Sequence, residues 1–322
     1  MSKVSVIIPN YNNAKYLGEA IDSALSQEGV DLEIIVVDDG STDHSQEVIE
    51  SYGSLITSIY QQNAGASAAR NVGWQNANSN WFKFLDADDR LLPSVLQRQM
   101  QLQVEFEKES SRVITFTDGR IIDQVGRVIY DSYYGDIPRL RCFSAAELVG
   151  RAPITPMPLF PRLAIEAVSG FNPDLRSADE YDLEVRLQFS GWNFTILNFV
   201  GYEYRMHACN NRISQRQLSE AEFQQRYDTY LYHLELAAPD LAKAADGCLE
   251  FAFATIFWSS GRYCLRCGFP QLAAMYFDKA HSLSAQMPVG NTAYRLGCKC
   301  FGLKLAEKIS ELSRRLKISG LR

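Results

Sequence analysis

The chain has 322 residues, of which 46% are hydrophobic and 22% charged, an ordinary globular composition that rules out a disordered or fibrous protein. Its net charge of −6 and pI near 5.4 leave no basic excess to release counterions from a phosphate backbone, which excludes a nucleic-acid partner. The seven cysteines form an odd set without the spacing of a disulfide scaffold, so a reducing compartment is expected.

Val4 to Pro9 is a β-branched run closed by Pro9-Asn10-Tyr11-Asn12 and followed by Leu17, Ile21, Ala24 and Leu25 at helical spacing, a strand feeding a helix. The apolar run at the N-terminus is too short for a signal peptide, so a cytoplasmic protein is expected. Leu32 to Val37 predicts a second buried strand, ending in Asp38-Asp39-Gly40-Ser41-Thr42-Asp43, where Gly permits a tight turn and Ser, Thr or Asp can cap the next helix. Ile56 to Tyr60, a helix from about Ser67 to Ala77 and the strand Trp81 to Leu85 continue the alternation. Alternating β and α elements imply a mostly parallel sheet covered by helices. In such sheets ligands sit beyond the carboxyl ends of the strands, where each of these polar clusters falls.

A long helix from Pro93 to about Glu107, a strand Val113 to Thr117, a hairpin around Gly126 and a mixed α and β region from Ser144 to Tyr204 follow. From about Gln217 the strand signals stop, and Ala, Leu, Tyr and Phe recur at helical intervals with breaks near Pro239, Gly268 and Pro288. Two regions are expected, an α/β domain over 1–215 and a helical C-terminal region over 216–322. The apolar stretch Phe251 to Trp258 is far shorter than the roughly 20 residues that span a bilayer. Cys264 with Cys267, and Cys298 with Cys300, lie in apolar helical surroundings and are expected to be buried thiols rather than zinc ligands.

Leu85-Asp86-Ala87-Asp88-Asp89 sets three carboxylates just past a buried strand, where unpaired charge is costly. A hard divalent ion completing its shell with phosphate oxygens would compensate them; a solvated turn capped by Asp89 is the other reading. In the second cluster, Asp38 to Asp43, a carboxylate can accept a hydrogen bond from a base or ribose, or merely cap a helix. The third, Asn63 to Gly73, joins a small-residue helix start to Arg70 among apolar neighbours, a phosphate-side cation or a structural ion-pair partner.

Together, Val6-Ile7-Ile8-Pro9-Asn10-Tyr11-Asn12, the Asp38 to Asp43 turn, the Asn63 to Gly73 segment and Asp86-Ala87-Asp88 resemble, in order and spacing, glycosyltransferase family 2, inverting transferases on the nucleotide-diphospho-sugar transferase fold called GT-A. The resemblance covers about residues 3 to 210. It implies that Pro9 and Tyr11 wall the nucleoside, that Asp39 contacts the base, that Arg70 lies beside base and phosphates, that Asp86 is near the ribose and that Asp88 is on a metal, Mn²⁺ or Mg²⁺. Val168 to Asn172 and Asp179-Glu180-Tyr181-Asp182-Leu183 are similar to the segments that lead into the family's acceptor-side helix and place the catalytic base in the pair Asp179 and Glu180. Family members usually carry Asp where this chain has Glu180; position favours Glu180, with Asp179 the alternative. Acids in a helix's first turn also favour the macrodipole. Tyr204-Arg205-Met206-His207 is similar to the Tyr-Arg-x-His stretch near the end of the family's catalytic domain, which sets His207 or Arg205 at the diphosphate or metal.

The expected activity is therefore transfer of a sugar from a nucleotide-sugar donor, a UDP-sugar, to a glycan or lipid-linked acceptor with inversion. The alternatives are a catalytically weakened sugar-nucleotide-binding or scaffold protein, and a nucleotidyltransferase, although the first strand lacks a Gly-rich, basic phosphate loop. Lys299 to Arg322 is basic and carries Leu305, Ile309, Leu312 and Leu316 at helical spacing, either a packed helix or a peripheral contact to an anionic membrane at 299–322.

Overall fold

The structure is a computed structural model that describes residues 3–108, 112–135, 141–153, 156–206, 217–243 and 247–286. The chain divides into two compact units, Met1–Arg216 and Gln217–Arg322.

The first unit opens with β1 (Lys3–Asn10), α1 (Ala14–Leu25), β2 (Asp31–Asp38), α2 (Ser45–Ser51), β3 (Thr57–Tyr60), α3 (Ala66–Asn76) and β4 (Trp81–Phe84). Val6–Ile8 of β1 and Ile34–Val37 of β2 are buried apolar runs because both faces of these strands are covered, as parallel strands require. α1 turns Tyr16, Leu17, Ala20, Ile21 and Ala24 inward, the stripe that its spacing predicts. α3 lies so close to β1 that a Cβ on Gly73 would meet Cγ2 of Ile7 at 2.3 Å. That contact accounts for a glycine inside a helix, where it costs about 0.5–1 kcal/mol relative to alanine.

β2, β1 and β4 pair in parallel, with Asn10 opposite Asp38 and Ile7 opposite Phe84, and β3 adds to β2 with Tyr60 opposite Asp38. The register brings the carboxyl ends of all four strands to one rim of the sheet. The remaining elements are β5 (Arg90–Leu91), α4 (Val95–Glu107), β6 (Val113–Ile122), β7 (Val128–Tyr130), β8 (Arg141–Cys142), α5 (Ala145–Arg151), β9 (Pro158–Pro161), α6 (Arg162–Ala167), α7 (Asp179–Phe189) and β10 (Asn193–Arg205). The sheet order is β3-β2-β1-β4-β9-β6-β10-β5, with β7 on β6 and β8 on β10. β9 runs antiparallel between β4 and β6, whereas β10 pairs with β6 in parallel through two register shifts. The hairpin expected at Gly126 forms between β6 and β7, with Gly126 at φ +85°. This is the α/β architecture of helices on a largely parallel sheet that the alternation implies.

In the second unit α8 (Glu220–Leu241) starts at a capping box of Ser219 and Glu222, and α9 (Cys248–Arg266) and α10 (Pro270–Leu283) form a helical hairpin. A Cβ on Gly261 would meet Cβ of Tyr276 at 2.8 Å, so the pair approaches closely. Cys264 is buried, but Cys267 is only partly so, because it is the C-cap of α9 where the helix end opens to solvent. The expectation of buried thiols is corrected there; Cys298 and Cys300 lie outside the described residues. No helix among the described residues is long and apolar enough to cross a membrane. The basic stretch 299–322 and its expected membrane contact also lie outside the described residues.

Candidate functional site

The loops that leave β1 and β2 are stitched together. Asn10 Nδ2 donates to Asp38 Oδ1 at 2.7 Å, and Ser41 gives its hydroxyl to the same oxygen at 2.6 Å. Asn12, at φ +52°, donates its N–H to Ser41 Oγ and accepts from Thr42 N at 2.7 Å. Burial opposes ionisation of Asp43, but hydrogen bonds from Ser45 and Ala14 outweigh it and hold this carboxyl below the usual range. Pro9 stays half-buried and Tyr11 is 43% exposed at this rim, available as a wall.

Asp39 is buried and already engaged. Its Oδ1 accepts from Gln61 Nε2 at 2.7 Å and from Ala64 N at 2.8 Å, and its Oδ2 accepts from Gly65 N at 2.8 Å. The carboxylate therefore shapes the turn before α3, in which Gly65 adopts φ +95°.

One residue ties the Asp86–Asp89 turn to the acidic pair Asp179 and Glu180. Arg70 is buried, and its Nη2 donates to Asp86 Oδ1 at 2.7 Å and lies 3.3 Å from Glu180 Oε1, while its Nη1 donates to Asp179 Oδ2 at 2.8 Å. Ser67, one turn earlier on α3, gives its hydroxyl to the same Asp179 oxygen at 2.8 Å. The guanidinium also sits 5.3 Å from the ring centre of Phe171. Complete burial disfavours the charge, yet Asp86, Asp179 and Glu180 raise the Arg70 pKa above its ordinary value. Of the two sequence readings of Arg70, the ion-pair partner is the one seen here: its polar end is ringed by carboxylates drawn from segments that are far apart in the chain.

The Asp86–Asp89 turn closes with Asp89 N donating to Asp86 O at 3.0 Å. Asp88 is 9% exposed. Arg205, expected near a diphosphate or metal, is instead 1% exposed and donates its Nε to the Asp88 carbonyl at 2.9 Å. A buried arginine at the end of β10 has no periodic signature, and only its place in the Tyr-Arg-x-His stretch hinted at it. Asp89 does not cap a helix but accepts from Arg205 N at 2.8 Å. His207, an expected metal ligand, lies outside the described residues.

Among the described residues no three His, Cys, Asp or Glu side chains gather as a metal cage. Asp86, with one oxygen on Arg70 at 2.7 Å, and Asp88 are the carboxylates that this turn could offer to a hard ion, which needs only one or two and completes its shell with phosphate oxygens. Glu184, one turn past Glu180 on α7, carries no signature that sequence reasoning could use. It is 1% exposed, and neither carboxyl oxygen has a hydrogen-bond partner among the described residues. Burial, with the Glu180 charge added, pushes its pKa well above the carboxylate range.

Residues 5–124 match the family model described as Glycosyl transferase family 2. An uncharacterized glycosyltransferase of Rickettsia prowazekii is 39% identical over 127 residues, 39% of each chain. Chondroitin synthase of Escherichia coli is 30% identical over 213 residues, 65% of this chain and 30% of that protein. The chain thus spans well under half the length of these relatives. The crystal structure of S. aureus TarS 1-349 in complex with UDP-GlcNAc superposes with a TM-score of 0.61 at 16% identity, covering 92% of each chain, a likeness of fold. The fold is of the GT-A type, and residues 5–124 are similar to glycosyl transferase family 2.

Proposed function

We propose that this chain is a metal-dependent inverting glycosyltransferase that moves a hexose from a UDP-sugar to a hydroxyl of a glycan or lipid-linked acceptor, with residues 1–215 as the catalytic domain. The observation that carries this reading is the Arg70 node, which joins Asp86 of the donor-side turn to Asp179 and Glu180 at the head of α7. The crystal structure of S. aureus TarS in complex with UDP-GlcNAc and the similarity to chondroitin and hyaluronan synthases support the choice of donor class.

Pro9 and Tyr11 wall the nucleoside, Asp39 offers its remaining acceptor capacity to the base, and Asp86 faces the ribose. Asp88 and Asp86, with His207, would hold the divalent ion, which when bound would supply charge stabilisation to the departing diphosphate. Of the carboxylates around Arg70, Glu180 is the most exposed, at 31% of its side chain, and its contact is the longest. Glu180 takes the proton of the acceptor hydroxyl as that oxygen attacks the anomeric carbon, and the bond from that carbon to the diphosphate oxygen breaks on the opposite face. Asp179, clasped by Ser67 and Arg70, orients the head of α7. The protein works in the cytoplasm in this reading, and a lipid-linked acceptor matches a peripheral membrane contact through 299–322.

Release of nucleoside diphosphate, assayed over a panel of sugar donors with Mn²⁺ and with chelator, tests the reading. Turnover with a UDP-sugar that needs metal and is lost in Asp88→Ala is expected. Equal donor affinity in metal and in chelator would refute the metal role, and no turnover with any donor would favour a binding or scaffold protein.

A further inference from the structure

A chain of alternating charges runs through the first unit toward the Asp86–Asp89 turn. Arg120 on β6 pairs with Glu203 on β10; Glu203 also takes Arg90 of β5 at 2.6 Å. Arg90 reaches Glu19 of α1 at 3.0 Å, and the same Glu19 oxygen accepts from Arg205 Nη2 at 2.6 Å. The last link is not an ion pair: Arg205 Nε donates to the backbone carbonyl of Asp88 at 2.9 Å. The N–H of Arg205 donates to the Asp89 carboxylate at 2.8 Å, and its guanidinium lies 4.7 Å from the ring centre of Tyr16.

We propose that Arg205 is a positioning residue for the donor-side turn, fixing the peptide between Asp88 and Asp89 so that the Asp88 side chain is held toward its ligand. The inference rests on the reading of Asp86 and Asp88 as the turn that meets metal and diphosphate. The geometry has three parts. The carbonyl direction of residue 88 and the side chain of residue 89 are both held by one residue, from its side chain and its backbone. That residue is itself held on its other arm by Glu19, so it cannot rotate without breaking a charge-assisted hydrogen bond. With Arg205 1% exposed, salt screens the arrangement little. Lysine cannot replace it, because a point ammonium lacks the planar fork that reaches the Asp88 carbonyl and Glu19 at once.

The arginine gives no sign of acting by direct contact with a ligand. Its three side-chain nitrogens point at Asp88 O, Glu19 Oε2 and, at 3.5 Å, Gln124 O. Its contribution is therefore the orientation of another residue, and the loss of such an outer support typically weakens metal affinity or activity about 10- to 100-fold.

Calorimetry of UDP binding to the full-length chain, in excess Mn²⁺ and again in chelator, tests this on wild type and Arg205→Lys, with direct titration of Mn²⁺ followed by its paramagnetic signal. Arg205→Lys is expected to weaken Mn²⁺ binding and Mn²⁺-dependent UDP binding by about 10- to 100-fold and to leave UDP binding in chelator unchanged. A general brace of the fold would lower both UDP affinities together, and that result would overturn the proposal. So would unaltered Mn²⁺ affinity in a variant that melts like wild type. Where Arg205→Lys fails to melt cooperatively, Glu19→Gln, which loosens only the second arm, should shift Mn²⁺ affinity in the same direction by less; no shift there overturns the proposal equally. A wild-type protein whose UDP binding ignores Mn²⁺ refutes the functional reading itself, whereas a metal-dependent wild type with an indifferent Arg205→Lys refutes this inference alone.

Discussion

Replacing Arg70 by Met keeps most of the side-chain volume but removes the cation from a cluster of Asp86, Asp179 and Glu180. The three contacts are 2.7, 2.8 and 3.3 Å long. At such distances each pair is worth several kcal/mol of gross attraction even at an effective dielectric of about 20, largely offset by the cost of burying the guanidinium. Breaking a fully buried pair costs about 3–5 kcal/mol, because the partner charges are left behind. Here the arginine side chain is 4% exposed but its partners are 13–31% exposed, so water relieves part of that cost and the lower end, about 3 kcal/mol, is expected. Urea unfolding of the full chain, followed by its tryptophan fluorescence, measures it. Arg70→Lys should recover part of the loss, having the charge without the fork. A loss under about 1 kcal/mol, the range of surface ion pairs, would show that the three carboxylates are adequately solvated without Arg70, and would remove the electrostatic link between the donor-side turn and α7.

Glu180→Gln should leave donor affinity nearly intact and lower turnover by about two to four orders of magnitude, as loss of a general base does, with Asp179→Asn costing less turnover; the reverse ranking in steady-state kinetics would make Asp179 the base. Lys83 is buried in β4, where it donates to Gln99 Oε1 and Met157 O at 2.9 Å each, and burial lowers its pKa from 10.5 to about 7. The unfolded chain holds that proton more readily between those two values, so wild-type stability should rise as pH increases from 7 toward 10.5 and fall again on return. The expected gain from pH 7 to 9 is roughly 2–3 kcal/mol, and Lys83→Met should flatten it in urea titrations; parallel pH profiles for the two proteins would refute the burial argument.

β1, β2 and β4 and their loops were legible because parallel strands covered on both faces are largely apolar, and the polar residues that follow them mark the carboxyl ends. The two-residue strands Arg90–Leu91 and Arg141–Cys142 were not, since so short a segment has no period. Nor was β9, whose prolines argue against a strand until it is seen lodged antiparallel between β4 and β6. The site residues were named by motif, but their partners were hidden: Arg70 and Asp179 are 109 positions apart, and no local pattern couples them. Glu184 was hidden for the opposite reason, because a charged residue in a helix is ordinarily taken as solvated, and only the packing of α7 puts it inside.

Asp39 carries a consequence for how a ligand would be received. A carboxylate has about four lone-pair sites, and the N–H groups of Gln61, Ala64 and Gly65 already use three of them. The segment from Gln61 to Gly65 is thus set in place during folding. Ordering a backbone costs about 1–2 kcal/mol per residue, and a nucleotide arriving at this rim would meet a preorganised wall, so that this entropy would not subtract from its affinity. Asp39→Asn would act twice, removing an acceptor and releasing the wall, and its effect on binding should therefore exceed that of one lost hydrogen bond.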